Sequence, residues 1–261
     1  MKIGLLKIIQ TASSLPVREL RRLLIPPDRF VGSELIKLQN DESHYLRRVL
    51  RLRIGDSLAI SDGCGQLWQA ELVDEHTVKT HATPCEEVVQ PQPALGLAVS
   101  IIRRGFDDVV RMACELGIDT IQPLRCERTV LQAEHRPDRW NTIVREAVEQ
   151  CERLWKPTVL ELNSLESWLD SSSGQKAVGV TRTKKLEPLG DWLEQIAIPA
   201  QTTWLIVGPE GGWTSAERDA LQNHSVAPIH LGPSILRTST AALAGAVDLV
   251  RWREQQLSTP E

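Results

Sequence analysis

The sequence holds one tyrosine and two phenylalanines. The scarcity argues against a sheet that stacks bases on exposed aromatics, as RRM modules do. Its five cysteines, at 64, 85, 114, 126 and 151, form no Cys-x-x-Cys pair and are odd in number. That pattern argues against a zinc site and a disulfide framework and points to a reduced, cytoplasmic setting. No apolar run is long enough to span a bilayer. No Gly-x-x-x-x-Gly-Lys-[Ser/Thr] occurs, which excludes an ordinary P-loop, and no Gly-x-Gly-x-x-Gly follows an early strand, which argues against a dinucleotide fold. Bulk positive charge is missing too. The formal net charge is −4, so the chain does not coat a polyanion by overall charge.

The 261 residues, with 41% hydrophobic and 25% charged, suffice for two small globular domains. Positive charge gathers early, with nine Lys/Arg against five Asp/Glu over residues 18–53. Residues 1–20 carry Lys2 and Lys7 and no acid before Glu19. Lys7 splits the apolar stretch a targeting segment would need, so a disordered extension, or an upstream start codon, is expected.

Two rhythms follow. From 21 to 89 the segments are short: 21–25, 56–61, 67–73 and 77–83 read as strands, "DGCG" at 62–65 as a hairpin turn, and 42–52 as a helix. This half reads as a small β-barrel. "VVQPQPA", 88–94, reads as a linker. From 94 to 254 strands alternate with helices. Strands are expected at 95–102, 118–124, 176–181, 203–208 and 227–232. Helices are expected at 107–117, at 137–154, after the Thr214/Glu217 capping box, and from a Ser239 or Thr240 cap to about Arg253. That alternation predicts a mostly parallel α/β sheet.

Two stretches stand out: "LIVGPEGGW", Leu205–Trp213, and "HLGPSILRTSTAALAG", His230–Gly245. Each places a Gly-Pro loop at the carboxyl end of a strand, where open α/β sheets bind ligands. Glycines there let the backbone approach a ligand and offer it bare N–H and C=O groups.

These loops, with "RGFDDVVRMACELGID", "RW", "EQC" and the early "HYLRRVLRLRIGD", resemble the RsmE family over residues 21–253. RsmE enzymes are S-adenosylmethionine-dependent uridine-N3 methyltransferases of 16S ribosomal RNA in the SPOUT superfamily. The resemblance implies a PUA-like, RNA-binding barrel at 21–89 and a trefoil-knotted methyltransferase domain at 94–254. It also implies a homodimer acting on 16S rRNA near its 3′ end, within the small ribosomal subunit. The cofactor would contact Val207, Gly208, Pro209, Glu210, Gly211 and Gly212, then Leu231, Gly232, Ile235, Leu236, Arg237, Thr238 and Ala241. The chain departs from the family's LRTETA by placing Ser239 where the glutamate stands. It carries Arg103-Arg104 where lysines are usual, and Cys151 where EQS ends in serine; Cys151 reads as a packed small residue.

The chemistry so implied is an in-line displacement at a sulfonium methyl. Uridine N3 must lose a proton held about two pH units above neutrality, about 3 kcal/mol at about 1.36 kcal/mol per unit. Arg237 is the candidate to stabilise the uridinate, or pairs with a carboxylate to anchor the fold. Glu210 is the candidate base, or orients its loop. RNA contacts are expected from Arg47, Arg48, Arg51 and Arg53 in the barrel, from Arg103, Arg104, Arg125 and Arg128 at strand ends, and from Arg139, Arg145 and Arg153 along the long helix. No metal is expected. Two other readings stay open. One is a SPOUT enzyme acting on a ribose 2′-OH or a tRNA base, which product analysis separates. The other is a non-catalytic RNA-binding or assembly factor, which cofactor binding separates.

Overall fold

The computed structural model describes residues 20–30, 34–183, 185–196 and 201–258. The extension expected at 1–20 lies outside these but for Leu20.

The first half builds a six-stranded sheet from β1 (Arg22–Leu24), β2 (Leu35–Lys37), β3 (Ser57–Ser61), β4 (Gln66–Asp74), β5 (Thr77–Thr80) and β6 (Glu86–Glu87). Its order is β1-β3-β4-β5-β2, with β6 on β4. Alternation along β4 turns Ala70 and Leu72 inward and Gln69 and Glu71 outward. The inward residues join Leu23, Ile25, Ile36, Leu46, Leu58, Ile60 and Val78 in one apolar core. Asp62 makes the expected turn, its carboxylate accepting from the N–H groups of Cys64 and Gln66 at 2.7 and 3.0 Å. The expected 42–52 helix is shorter and begins earlier. It runs as α1 (Asn40–His44) and one π-helical turn, Tyr45–Val49. Glu42 sets the start by accepting from the Gln39 N–H at 2.8 Å. Arg51, at φ 58, takes a left-handed backbone that no helix continues.

The second half contains β7 (Leu95–Ser100), α2 (Phe106–Leu116), β8 (Thr120–Arg125), α3 (Pro137–Cys151), β9 (Thr158–Val159), β10 (Asn163–Ser164), α4 (Leu165–Ser171) and β11 (Gln175–Gly179). There follow β12 (Glu187–Pro188), α5 (Leu189–Gln195), β13 (Thr203–Val207), α6 (Ser215–Asn223), β14 (Ala227–His230) and α7 (Thr238–Ser258). Every pairing in this sheet is parallel, in the order β10-β8-β7-β13-β11-β14-β12, with β9 on β8. β7 and β13 are buried throughout, as parallel strands covered on both faces must be. At their pairing Trp204 sits opposite Gly96. A Cβ on Gly96 would lie 2.2 Å from the Trp204 ring, so only glycine admits that indole.

The last helix begins at Thr238, one residue before the expected caps, and runs past Arg253 to Ser258. It packs on β13 through a small-residue face; a Cβ on Gly245 would meet the Leu205 side chain at 1.9 Å. Its far end is tied by Arg253, which pairs with buried Asp119 and donates to the Gly117 carbonyl at 2.9 Å.

The halves meet along α3. Glu149, 6% exposed, accepts from the Leu24 N–H at 2.9 Å, Arg22 pairs with Glu152 at 2.7 Å, and Arg145 pairs with Asp41 at 3.0 Å. Three arginines expected to face RNA pair with carboxylates: Arg139 and Arg145 of α3 with Asp107 and Asp41, and Arg153, just past its end, with Asp119. Cys151 is half-buried at the end of α3, and neighbouring Cys114 lowers its thiol below the ordinary value.

Two expectations follow. Gly96→Ala drives a methyl group into the Trp204 ring and lowers unfolding stability by about 1–3 kcal/mol in urea titration. Burial pushes the Glu149 carboxyl up to about 7, against the Leu24 N–H and Arg145, which favour its charge. A raised carboxyl value means the folded state binds the proton more tightly, so stability is full below the unfolded value and is lost as pH rises through about 7. Glu149→Gln keeps an acceptor for Leu24 and removes the titration. Its stability relative to the parent should therefore improve from about pH 5 to about pH 8.

Candidate active site

The sheet order makes β11, β13 and β14 consecutive neighbours pointing the same way. Their carboxyl ends emerge side by side, and the loops that follow them enclose a cleft of ≈ 830 Å³. One wall is Val207–Trp213, a second is His230–Leu236 with Thr238 and Ala241 of α7, and a third, from β11 onward, is Gly179–Thr183 with Lys185 and Leu186.

The glycine loop after β13 is held from three sides. Thr238, at the first turn of α7, donates its hydroxyl to the Gly208 carbonyl at 2.9 Å. Arg128 donates to the Gly211 carbonyl at 3.1 Å, and a Cβ on Gly211 would lie 2.9 Å from the Arg128 Cβ. Glycine is required there because the arginine stem lies flat against the loop. On the remaining side, buried Trp213 donates its indole N–H to the Gly179 carbonyl at 3.3 Å, tying the first wall to the third. The loop closes on itself through the Gly212 N–H to the Pro209 carbonyl at 2.9 Å. Then Thr214 and Glu217 form the expected capping box of α6, and the free oxygen of Glu217 accepts from the Glu127 N–H at 2.8 Å.

Of the residues expected around the cofactor, Val207, Gly208, Pro209, Glu210, Gly211 and Gly212 line the cleft, as do Leu231, Gly232, Ile235, Leu236, Thr238 and Ala241. Arg237 does not. It stands between two lining residues, exposed, with no ion pair to a carboxylate among the described residues. Glu210 lines the cleft exposed and takes no main-chain N–H among the described residues, so the loop-orienting role finds no hydrogen bond to carry it. Ser239 is half-buried in the first turn of α7.

The arginines expected on RNA separate. Arg128 belongs to the cleft through Gly211. Arg47 pairs with Glu75 at 2.8 Å on the surface. Arg48, Arg51, Arg103 and Arg104 are exposed, and their side chains have no partner among the described residues. Sequence reasoning missed the third wall, Val180, Thr181, Arg182, Thr183, Lys185 and Leu186. The available signal was "VTRTKKL", a basic, hydroxyl-bearing run directly after a parallel strand. Among the described residues no cluster of His, Cys, Asp and Glu could hold a metal ion, and no described helix is long and apolar enough to cross a membrane.

Comparison with known proteins fits this architecture. The family described as "RNA methyltransferase domain" matches residues 90–248, and that described as "RNA methyltransferase PUA domain" matches residues 38–79. The "Ribosomal RNA small subunit methyltransferase E" of Synechocystis sp. is 35% identical over 242 residues, 87% of this chain and 79% of that protein. A methyltransferase of Legionella pneumophila, solved with bound cofactor SAM, superposes with a TM-score of 0.76 at 25% identity, covering 90% of this chain and 98% of that one. The ribosomal RNA small subunit methyltransferase E of Neisseria gonorrhoeae, bound to S-adenosyl methionine, gives 0.73 at 27% identity, covering 88% and 96%. With its small N-terminal sheet, its parallel sheet and its two glycine loops, the chain belongs to the family of ribosomal RNA small subunit methyltransferase E.

Proposed function

We propose that the protein transfers a methyl group from S-adenosylmethionine to N3 of a uridine near the 3′ end of 16S rRNA. It does so in the assembled small ribosomal subunit, as a cytoplasmic homodimer whose last segment is knotted in the SPOUT manner. One observation carries the reading: in a chain of this family, two glycine loops and the start of α7 close one cleft at the carboxyl edge of the sheet.

The lining suits the cofactor. Val207, Leu231, Leu236 and Ala241 offer apolar surface for an adenine face, and the glycine loops offer main-chain donors and acceptors for its edge. Glu210 supplies a carboxylate to a ligand that carries positive charge. When bound, S-adenosylmethionine supplies a methyl group on a sulfonium, the electrophile of the reaction. The protein's own residues have two tasks besides holding it. They must take the N3 proton, for which Glu210 is placed in the cleft, and they must stabilise the charge left on the uracil. Arg237, assigned that second task from sequence, stands beside the lining and not in it. Exposed Arg48 and Arg51 of the small domain, with Arg103 and Arg104 after β7, are the phosphate contacts in this reading.

The decisive experiment offers labelled S-adenosylmethionine to small subunits lacking the modification and maps the product by reverse-transcription arrest. A single stop at a uridine near the 3′ end of 16S rRNA is expected, because an N3 methyl blocks the pairing edge. A product invisible to arrest but resistant to alkali would mean a ribose methyl instead. Gly211→Ala should weaken cofactor binding by about tenfold in calorimetry, because its methyl group must displace the Arg128 stem or the loop.

A further inference from the structure

We infer that the third wall of the cleft is the acceptor-nucleotide site, and that Arg182 on it binds a uracil oxygen as N3 gives up its proton. The inference rests on the methyltransferase reading above.

The three walls differ in chemistry. The two glycine loops and α7 present backbone, apolar side chains, Ser234, Thr238, Glu210 and His230, but no lysine or arginine. Among the described residues the lysines and arginines lining the cleft come from elsewhere: Arg128, Arg182, Lys185 and Arg218. Arg128 is committed to the Gly211 carbonyl at 3.1 Å, and Arg218 to the Trp213 carbonyl at 2.8 Å. Arg182 and Lys185 have no hydrogen bond or ion pair among the described residues, and both are exposed. Among the described residues they are the uncommitted lysine and arginine of the cleft, and both stand on the third wall with Thr181 and Thr183.

The backbone there is specialised. Arg182 and Lys185 adopt left-handed conformations, φ 62 and 65, in which residues other than glycine are uncommon. Such conformations concentrate at ligand sites, where the surroundings hold them. The wall is also fixed to the cofactor side, because the Trp213 indole donates to the Gly179 carbonyl where the wall begins. Groups on the two sides are therefore held in register before any ligand arrives, which is the condition for an in-line displacement.

The reaction explains why the uncommitted cation matters. The N3–H bond breaks and the proton leaves to a base. The N3 lone pair forms the new N–CH3 bond as the S–CH3 bond breaks, and the sulfonium becomes a neutral thioether. Between the first event and the second, a negative charge spreads over O2, N3 and O4. A guanidinium donates along fixed directions and can hold one uracil oxygen from the side, leaving N3 open to the methyl group, whereas an ammonium acts as a point charge. Arg182 thus suits the uracil edge, and Lys185 a phosphate. Stabilising the uridinate raises the fraction ionised near neutrality, so the effect is read in the pH profile.

The test is the pH dependence of kcat on small subunits for the parent, Arg182→Ala and Arg182→Lys, with S-adenosylmethionine affinity measured by calorimetry. Glu210, His230, Lys185, Arg128 and Arg218 are the other titratable groups lining the cleft, so His230→Gln is included. The expected result for Arg182→Ala is a fall in kcat of about 10–100-fold near neutral pH, shrinking as pH rises, with cofactor affinity unchanged. Arg182→Lys recovers part of the loss. An Arg182→Ala profile parallel to the parent's, a loss of cofactor affinity equal to the loss of rate, or a midpoint moved by His230→Gln and not by Arg182→Ala overturns the inference alone. No transfer by the parent to any subunit overturns the methyltransferase reading, and this inference with it.

Discussion

A buried carboxylate holds the last helix in place, and the cleft depends on where that helix lies. Asp119 accepts from Arg153, from Arg253 and from the Leu95 N–H, so it joins the first strand of the parallel sheet, the ends of α2 and α3, and the far end of α7. Such an ion cluster adds little over apolar packing, but leaving one charge behind without its partner costs about 3–5 kcal/mol. It therefore selects one seating of α7 over neighbouring ones. The helix spans about 30 Å, since each of its 21 residues rises about 1.5 Å. Its near end carries Thr238, whose hydroxyl holds the Gly208 carbonyl. A slip of the helix on Leu205 would move Thr238 and Ala241 out of the cleft wall together.

Much of this was legible because local chemistry and fold agree. The Thr214/Glu217 box, the Asp62 turn and the continuous apolar runs of β7 and β13 each read directly from neighbours in sequence. The glycine loops were legible for the same reason, since a Gly-Pro loop after an apolar strand has few other uses. The third wall was not. Its importance comes from β13 lying between β7 and β11, a long-range order that periodicity along one segment does not encode. Read alone, "VTRTKKL" is a solvated basic loop. Only when β11 and β13 are paired does Gly179 fall beneath Trp213, and the loop becomes a wall.

The arginines show the same divide. Their charge is plain in the sequence, but their partners lie far away along it. Arg145 meets Asp41 across 104 positions and Arg253 meets Asp119 across 134. Helical position placed Arg139, Arg145 and Arg153 on a candidate basic face, yet folding spends each on a carboxylate. Arg237 and Arg182 make the complementary case. Being next to the second glycine loop in sequence suggested Arg237, while a side chain from another strand end lines the space itself.

These pairings also resolve how a chain with a net charge of −4 can serve a polyanion. Net charge counts every acid, but an acid already neutralised by an arginine adds little to the field outside it. Asp41, Asp107, Asp119 and Glu152 are each paired at the seam or within the fold. Arg103, Arg104, Arg182 and Lys185 remain exposed, the first two after the carboxyl end of β7 and the last two after that of β11, on either side of β13. Screening confines exposed charges to about 8–10 Å at physiological salt, so an approaching backbone senses this edge and not the whole molecule. The edge that carries these exposed cations is the edge into which the glycine loops open. In the proposed reading, cofactor and acceptor divide it by chemistry: main chain and apolar side chains for the cationic cofactor, guanidinium and ammonium for the anionic base.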